Sequence, residues 1–112
     1  MIQVSNNTIT MVRGDTARIS VSITDAEGAE YIPVEGDTLR FAVKKKYTDE
    51  TVVIEKQIDI NALILQIDPA DTKNLQMGET KGQYVYDVEI TQADGTVDTF
   101  IRGKLILLEE VE

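Results

Sequence analysis

The side chains that could do chemistry in this chain are hydroxyls, amines and carboxylates, because its 112 residues include no histidine and no cysteine. That removes the imidazole base, the Ser-His triad, the thiol nucleophile, the disulfide and the zinc–thiolate centre. Paired carboxylates remain. Asp68 with Asp71, or Glu89 with Asp98, would suit glycosidase chemistry if a fold held them about 5–10 Å apart across a cleft. Asp25-Ala-Glu27-Gly28 places alternate acids before a glycine, as a calcium loop does, but lacks the later acidic ligands of an EF-hand. Each has a plainer account: turn and wet-face carboxylates are ordinary in an acidic β domain, and a domain this small has little room for a substrate cleft. No catalytic residue, cofactor or metal ligand is assigned, and the chain reads as non-enzymatic.

Charge narrows the partners. Acidic residues number 20 and basic residues 11, a net charge of −9. Sequence-independent nucleic-acid binding depends on clustered Lys and Arg, so none is expected, and anionic membranes repel such a chain. Lys44-Lys45-Lys46 is the one basic run and reads as a solvated strand end. Met1-Ile-Gln-Val-Ser-Asn-Asn has no basic region followed by an apolar one, so no secretory signal is expected. The longest apolar stretch, Leu105 to Leu108, is far short of the roughly 20 residues that cross a bilayer. A cytoplasmic protein is expected at synthesis, and the lack of cysteine fits that compartment.

The elements that must position these groups repeat every second residue. Ala17, Ile19, Val21 and Ile23 alternate with Arg18, Ser20 and Ser22, the signature of a half-buried strand. Leu39, Phe41 and Val43 repeat it, as do Tyr84, Tyr86, Val88 and Ile90, and Leu63, Leu65 and Ile67. Thr8 to Val12 reads as a first strand, and Val97 opens a last one running to Leu108. Val52 to Ile58 is another, although Lys56 falls on its apolar parity. The tally of about seven strands fits an all-β sandwich or barrel spanning residues 1–112 as a single domain. Asp68 as cap and Pro69 at the first helical position predict one short helical turn near residues 69–75, packed by Leu75 and closed by Gly78.

Turns are legible as well. Thr24-Asp-Ala-Glu-Gly28 and Thr91-Gln-Ala-Asp-Gly95 share one pattern, a type I turn followed by a left-handed glycine. Gly14-Asp15-Thr16 and Gly36-Asp37-Thr38 read as strand-entry turns. If Thr91 faces Thr96, then Tyr84 faces Gly103, Tyr86 faces Ile101, Val88 faces Thr99 and Ile90 faces Val97. Gly103 would then leave room for a tyrosine ring. The same register sets Glu89 against Asp98, which costs stability unless a bulge shifts the hairpin.

Gly82-Gln-Tyr84-Val-Tyr86 resembles the sixth strand of immunoglobulin-like sandwiches. The resemblance implies that Tyr84 is a tyrosine-corner residue bonded to upstream backbone, and that Tyr86 fills the core position where antibody domains carry cysteine. A closer likeness spans nearly the whole chain. Its parts are Arg13-Gly-Asp-Thr16, Gly36-Asp-Thr38-Leu-x-Phe41-x-Val-Lys44, Asp68-Pro-x-Asp-Thr72, Gly82-x-Tyr-x-Tyr86-Asp-Val88, Ile101-Arg-Gly103 and the terminal Glu-Glu-Val111. This order is similar to that of small phage and prophage β-sandwich proteins, in particular the N-terminal domain of phage baseplate upper proteins. It implies an immunoglobulin-like antiparallel β-sandwich and a structural or assembly role in a tail or baseplate, in the host cytoplasm during assembly and then in the virion. Other tail or baseplate proteins would be its partners. The other reading is a small ligand-, carbohydrate- or calcium-binding module.

A contact surface is legible in the last strand, where Leu105, Ile106, Leu107 and Leu108 put apolar groups on both faces. Phe100 also lies on the parity opposite to Val97 and Ile101. With Ile64 and Val85, the residues Phe100, Ile106 and Leu108 are expected to form an outer apolar patch for a partner or a second copy. Two alternatives are that Ile2 and Val4 cover this strand end, or that a bulge after Gly103 turns it inward. The architectural candidates are Gly28 and Gly95 in turns, Tyr84 in the corner with Gly103 facing it, and Phe41 and Tyr86 in the core.

Overall fold

The computed structural model describes residues 3–5, 7–24, 29–73, 75 and 81–108. The strands are β1 (Gln3–Ser5), β2 (Thr8–Val12), β3 (Ala17–Ser20), β4 (Ile23–Thr24), β5 (Glu30–Tyr31), β6 (Thr38–Lys44), β7 (Ile54–Ile58) and β8 (Ile64–Ile67). A short helix, α1 (Pro69–Thr72), leads to β9 (Lys81–Thr91) and β10 (Val97–Leu108). The protein is all-β, and every segment with a two-residue period contributes at least one strand. The count among the described residues is ten rather than about seven, because β1, β4 and β5 are pieces of only 3, 2 and 2 residues. The long strand expected from Thr16 to Thr24 is broken at Val21, whose N–H bonds to the Leu63 carbonyl at 2.8 Å.

β1-β2-β10-β9-β6-β7 form one six-stranded sheet, and β3-β8 and β4-β5 form two small pairs. The pairing is not antiparallel throughout, as expected, but mixed: β2 runs parallel to β10, with Thr8 beside Lys104 and Val12 beside Leu108. The reason lies in β10 itself. Its final residues keep β9 on one edge, and the other edge would be open; β2 occupies it and satisfies that row of backbone groups. The sheet curls around a core that includes Ile9, Met11, Phe41, Val43, Leu65, Ile67, Tyr86, Val88, Leu105 and Leu107. The Phe41 and Tyr86 rings meet at its centre, 5.4 Å apart and tilted. Val21 is buried too, while Ile19 and Ile101 are partly buried against the same core.

The β9–β10 register differs from the expected one in two steps. Gln92 N–H bonds to the Thr96 carbonyl and Gly95 N–H to the Gln92 carbonyl, with Gly95 at φ +93°. This is the expected turn followed by a left-handed glycine, but it is one residue tighter, so Thr91 faces Val97 instead of Thr96. A bulge at Phe100 adds a second step: Ile101 faces Val88, Gly103 faces Tyr86 and Leu105 faces Tyr84. Glu89 therefore faces Thr99, and the like-charge pair with Asp98 does not form. Val97 lies with Thr91 on the outer face and is exposed. The bulge lets consecutive apolar residues, Phe100 and Ile101, both face the core. It precedes Gly103 rather than following it.

The Gly-Asp-Thr repeats are turns: Asp15 N–H bonds to Val12 O and Asp37 N–H to Val34 O. Pro69 opens α1 after the Asp68 cap, and Leu75 packs on the core as expected. The Gly28 turn, the Gly78 stop and Ile2 lie outside the described residues. β1 extends the sheet at its edge beside β2.

Candidate functional site

Because partners across strands share a face, the register builds the outer surface of the large sheet row by row. Lys44, Val85 and Lys104 stand in one row across β6, β9 and β10. Thr10, Ile106 and Gln83 form the next, and Leu108 lies beside Val12 in the last. Val85 and Ile106 are half-buried and Leu108 is exposed. Three of the five residues expected in the apolar patch thus share one surface, flanked by two lysines. The other two stand elsewhere. Phe100 is partly buried on the core side of β10, beside Ile9, Ile19, Leu65 and Tyr86 around a cleft of about 340 Å³. Ile64 is exposed on β8, which pairs with β3 and not with the large sheet. Sequence parity could not separate them, since a bulge reverses parity and alternation does not say which sheet a strand joins.

Further along the same outer face is a polar groove of about 420 Å³ lined by Arg40, Tyr47, Asp87, Glu89 and Arg102 among others. Tyr47 reaches over the sheet from the β6–β7 connection. Its hydroxyl lies 3.0 Å from the Gly103 carbonyl and 3.2 Å from that of Tyr86, and the Arg102 guanidinium stacks 4.1 Å from its ring centroid. Arg40 bonds Glu55 at 2.6 Å and reaches Glu89 at 3.6 Å. Arg40 and Glu89 are thus paired within the chain. Tyr47 was not singled out from sequence, since a lone loop tyrosine carries no periodic signal.

The carboxylate pair Asp68 and Asp71 does come together, around Lys56. Its ammonium donates to Asp68 at 3.0 Å and Asp71 at 2.8 Å. Lys56 does occupy the inward parity of β7, between the buried Ile54 and Ile58, and an ion pair on the helix cap is what makes that tenable. Asp71 also accepts the Asp68 N–H at 2.7 Å, and Gln66 donates to Asp68 at 2.7 Å. The Asp71 and Asp68 carboxylates raise the Lys56 pKa, while the Gln66 amide and then Lys56 lower that of Asp68. Both shifts lead away from neutrality, whereas general acid–base work needs groups poised near it. The cluster fastens α1 to the sheet edge, and an inward charge on an edge strand also discourages pairing with a further strand.

At the other end of the fold, the Tyr31 hydroxyl donates to Asp37 at 2.6 Å, and Val34 N–H bonds the same oxygen at 3.0 Å. These donors, Tyr31 first, hold the Asp37 carboxyl below its usual range. The network ties the β5–β6 connection to the β9–β10 hairpin, where Gly36 (φ +100°) packs on Ala93. Near the middle of the sheet, the buried Tyr86 hydroxyl donates to the Asn7 carbonyl at 2.8 Å, and burial raises its pKa. This upstream-backbone bond is of the kind that the resemblance implied for Tyr84; Tyr84 itself is buried beneath the Lys45 ammonium, 4.7 Å from its ring centroid.

Among the described residues no group of three or more acidic side chains is arranged to hold a metal ion, and no helix is long and apolar enough to cross a membrane. The Asp25–Gly28 segment lies outside the described residues. No protein-family model matches the chain, and no curated protein matches it.

Proposed function

We propose that this protein is a non-enzymatic structural or assembly component of a phage or prophage tail or baseplate, working through protein–protein contacts. The observation that carries the contact reading is that Val85, Ile106 and Leu108 face outward on the adjacent strands β9 and β10, with Lys44 and Lys104 on either side of Val85, apolar surface beside charged groups as contact sites have. The setting rests on the order of motifs from Arg13-Gly-Asp-Thr16 to Ile101-Arg-Gly103, which is similar to phage baseplate proteins. An immunoglobulin-like sandwich is the finer fold reading. The strand order β10-β9-β6-β7, with β3-β8 as a separate pair, supports it, since the variable-type layout joins G, F, C and C′ and keeps B and E in the other sheet. Phe41 and Tyr86 then stand where antibody domains pack tryptophan against a disulfide. The proposed locations are the host cytoplasm during assembly and then the virion.

Affinity isolation of the tagged chain from cells producing virions, with mass spectrometry of co-eluting proteins, tests the role. Tail or baseplate proteins should co-elute with the parent and be lost with Leu108→Asp. A chain that elutes alone, or a gene lying in a metabolic operon, would overturn it. The second reading, a carbohydrate-binding module, draws on the aromatic and polar groove under Tyr47. A glycan array decides that one, and binding that disappears in Tyr47→Ala would favour it.

A further inference from the structure

Two strand edges are left open beside the core. Among the described residues β3 pairs with β8 alone. The Val21 N–H bonds to the Leu63 carbonyl, and the same register runs on to Ala17 opposite Ile67. In an antiparallel pair, residues that exchange such bonds alternate with residues that do not. The backbone groups of Ala17, Ile19 and Val21 therefore face β8, and those of Arg18 and Ser20 face away from it. β10 is open over part of its length as well, because β2 accompanies it only from Lys104 to Leu108.

The cleft of about 340 Å³ is lined from both of these strands. Ile19, Phe100 and Ile101 stand half-buried in it, and Asn7, Ser20 and Ser22 are exposed. No Asp, Glu, Lys or Arg lines it, although 28% of the chain is charged. Unpaired backbone groups beside half-covered apolar side chains make a template for a further strand. The bulge at Phe100 interrupts the regular spacing of backbone groups along β10. β3 keeps an unbroken register from Ala17 to Ser20, so β3 is the better template.

We propose that β3 accepts an extended segment of another protein as an added strand, whose alternate side chains enter this cleft. Two features select the occupant. The outward backbone groups of Arg18 and Ser20 hydrogen-bond an extended main chain, and the uncharged lining complements uncharged side chains, since a charge placed there would lose its water without a partner. The segment therefore carries apolar residues at every second position, roughly 7 Å apart along the strand, with no charge among them. This interface is separate from the one proposed above. Phe100 and Ile101 face the core, whereas Val85, Ile106 and Leu108 lie on the opposite face of the large sheet.

Peptide binding by the full chain, read by fluorescence anisotropy and amide hydrogen exchange, tests the proposal. The probes are peptides of about ten residues, a long strand's length, that alternate apolar with uncharged polar residues between terminal lysines. Controls hold the same residues in an order that breaks the alternation. Alternating peptides should bind roughly tenfold more tightly than controls and slow exchange of the Ser20 amide by about as much. Ser20→Pro removes an N–H that faces away from β8, so it should weaken binding roughly tenfold and keep the circular dichroism spectrum. If that variant loses its native spectrum, N-methylation of the peptide at alternate positions replaces it: one phase should abolish binding and the other should leave it. Alternating and control peptides that bind alike or not at all, a Ser20 amide that exchanges as before, or a folded Ser20→Pro variant of unchanged affinity would overturn strand addition. So would Ser20 protection that grows with protein concentration in the absence of peptide, which would make a second copy the occupant. Co-elution lost with Leu108→Asp reads the outer face, so it stands or falls separately.

Discussion

Gly103→Ala tests the junction on which the β1–β2 turn, β9 and β10 converge. A Cβ at Gly103 would lie 2.9 Å from the Asn7 carbonyl carbon and 3.0 Å from Tyr86 Cε2, and would overlap the Asn7 carbonyl oxygen. Carbon atoms sit comfortably at about 3.5 Å or more, so the Asn7 peptide must retreat by at least roughly 0.6 Å. That retreat stretches the 2.8 Å bond from the Tyr86 hydroxyl to Asn7 beyond the usual O–H···O limit of about 3.0 Å. Asn7 already holds φ +64°, which leaves its turn little freedom to adjust. Overpacking costs about 1–3 kcal/mol, and leaving a buried hydroxyl unsatisfied costs about 1–3 kcal/mol more. We expect about 3 kcal/mol in urea titrations followed by circular dichroism, which near this chain length lowers Tm by roughly 12 °C. Tyr86→Phe removes only the bond and should cost about 1 kcal/mol. Both changes lose the same bond, so the double variant should cost less than their sum by at least about 0.5 kcal/mol. A Gly103→Ala loss under about 0.5 kcal/mol, or strict additivity, would refute this account.

Three further outcomes follow from the same packing. Gly36→Ala sets a Cβ 2.8 Å from that of Ala93 at φ +100°, and should cost about 2 kcal/mol; adding Ala93→Gly should recover the steric share and leave the backbone strain, as urea midpoints will show. Lys56→Met should cost about 1 kcal/mol at neutral pH. The depressed Asp68 pKa contributes stability that is present above about pH 4 and lost as pH falls through its folded value, while the raised Lys56 pKa contributes below about pH 10 and is lost as pH rises through its own. Lys56→Met should therefore remove the alkaline limb and only lessen the acid one, where the Gln66 amide still holds Asp68 down, and a curve that keeps the parent's alkaline limb refutes the ion-pair reading. Phe41→Ala should cost about 3–5 kcal/mol by calorimetry, because the ring is fully buried against Tyr86.

The candidate surface is partly legible. Broken alternation in the last strand marks Ile106 and Leu108, which share the outer face with Val85, a signal that works because an apolar side chain on a wet face costs free energy unless something covers it. Phe100 broke the same rule for another reason, since a bulge had reversed its parity. Lys56 looked misplaced in sequence because its partners, Asp68 and Asp71, stand 12 and 15 positions away and only the β7–β8–α1 arrangement brings them close.

Local chemistry reaches as far as the strands, the helical turn at Pro69 and the left-handed Gly95. Side-chain alternation and turn preferences act between near neighbours, so they can be read in order along the chain. Register and the parallel seating of β2 on β10 depend on contacts between segments up to a hundred residues apart. Those follow from which edges must be filled and which side chains must be buried together, quantities that exist once the chain has closed on itself.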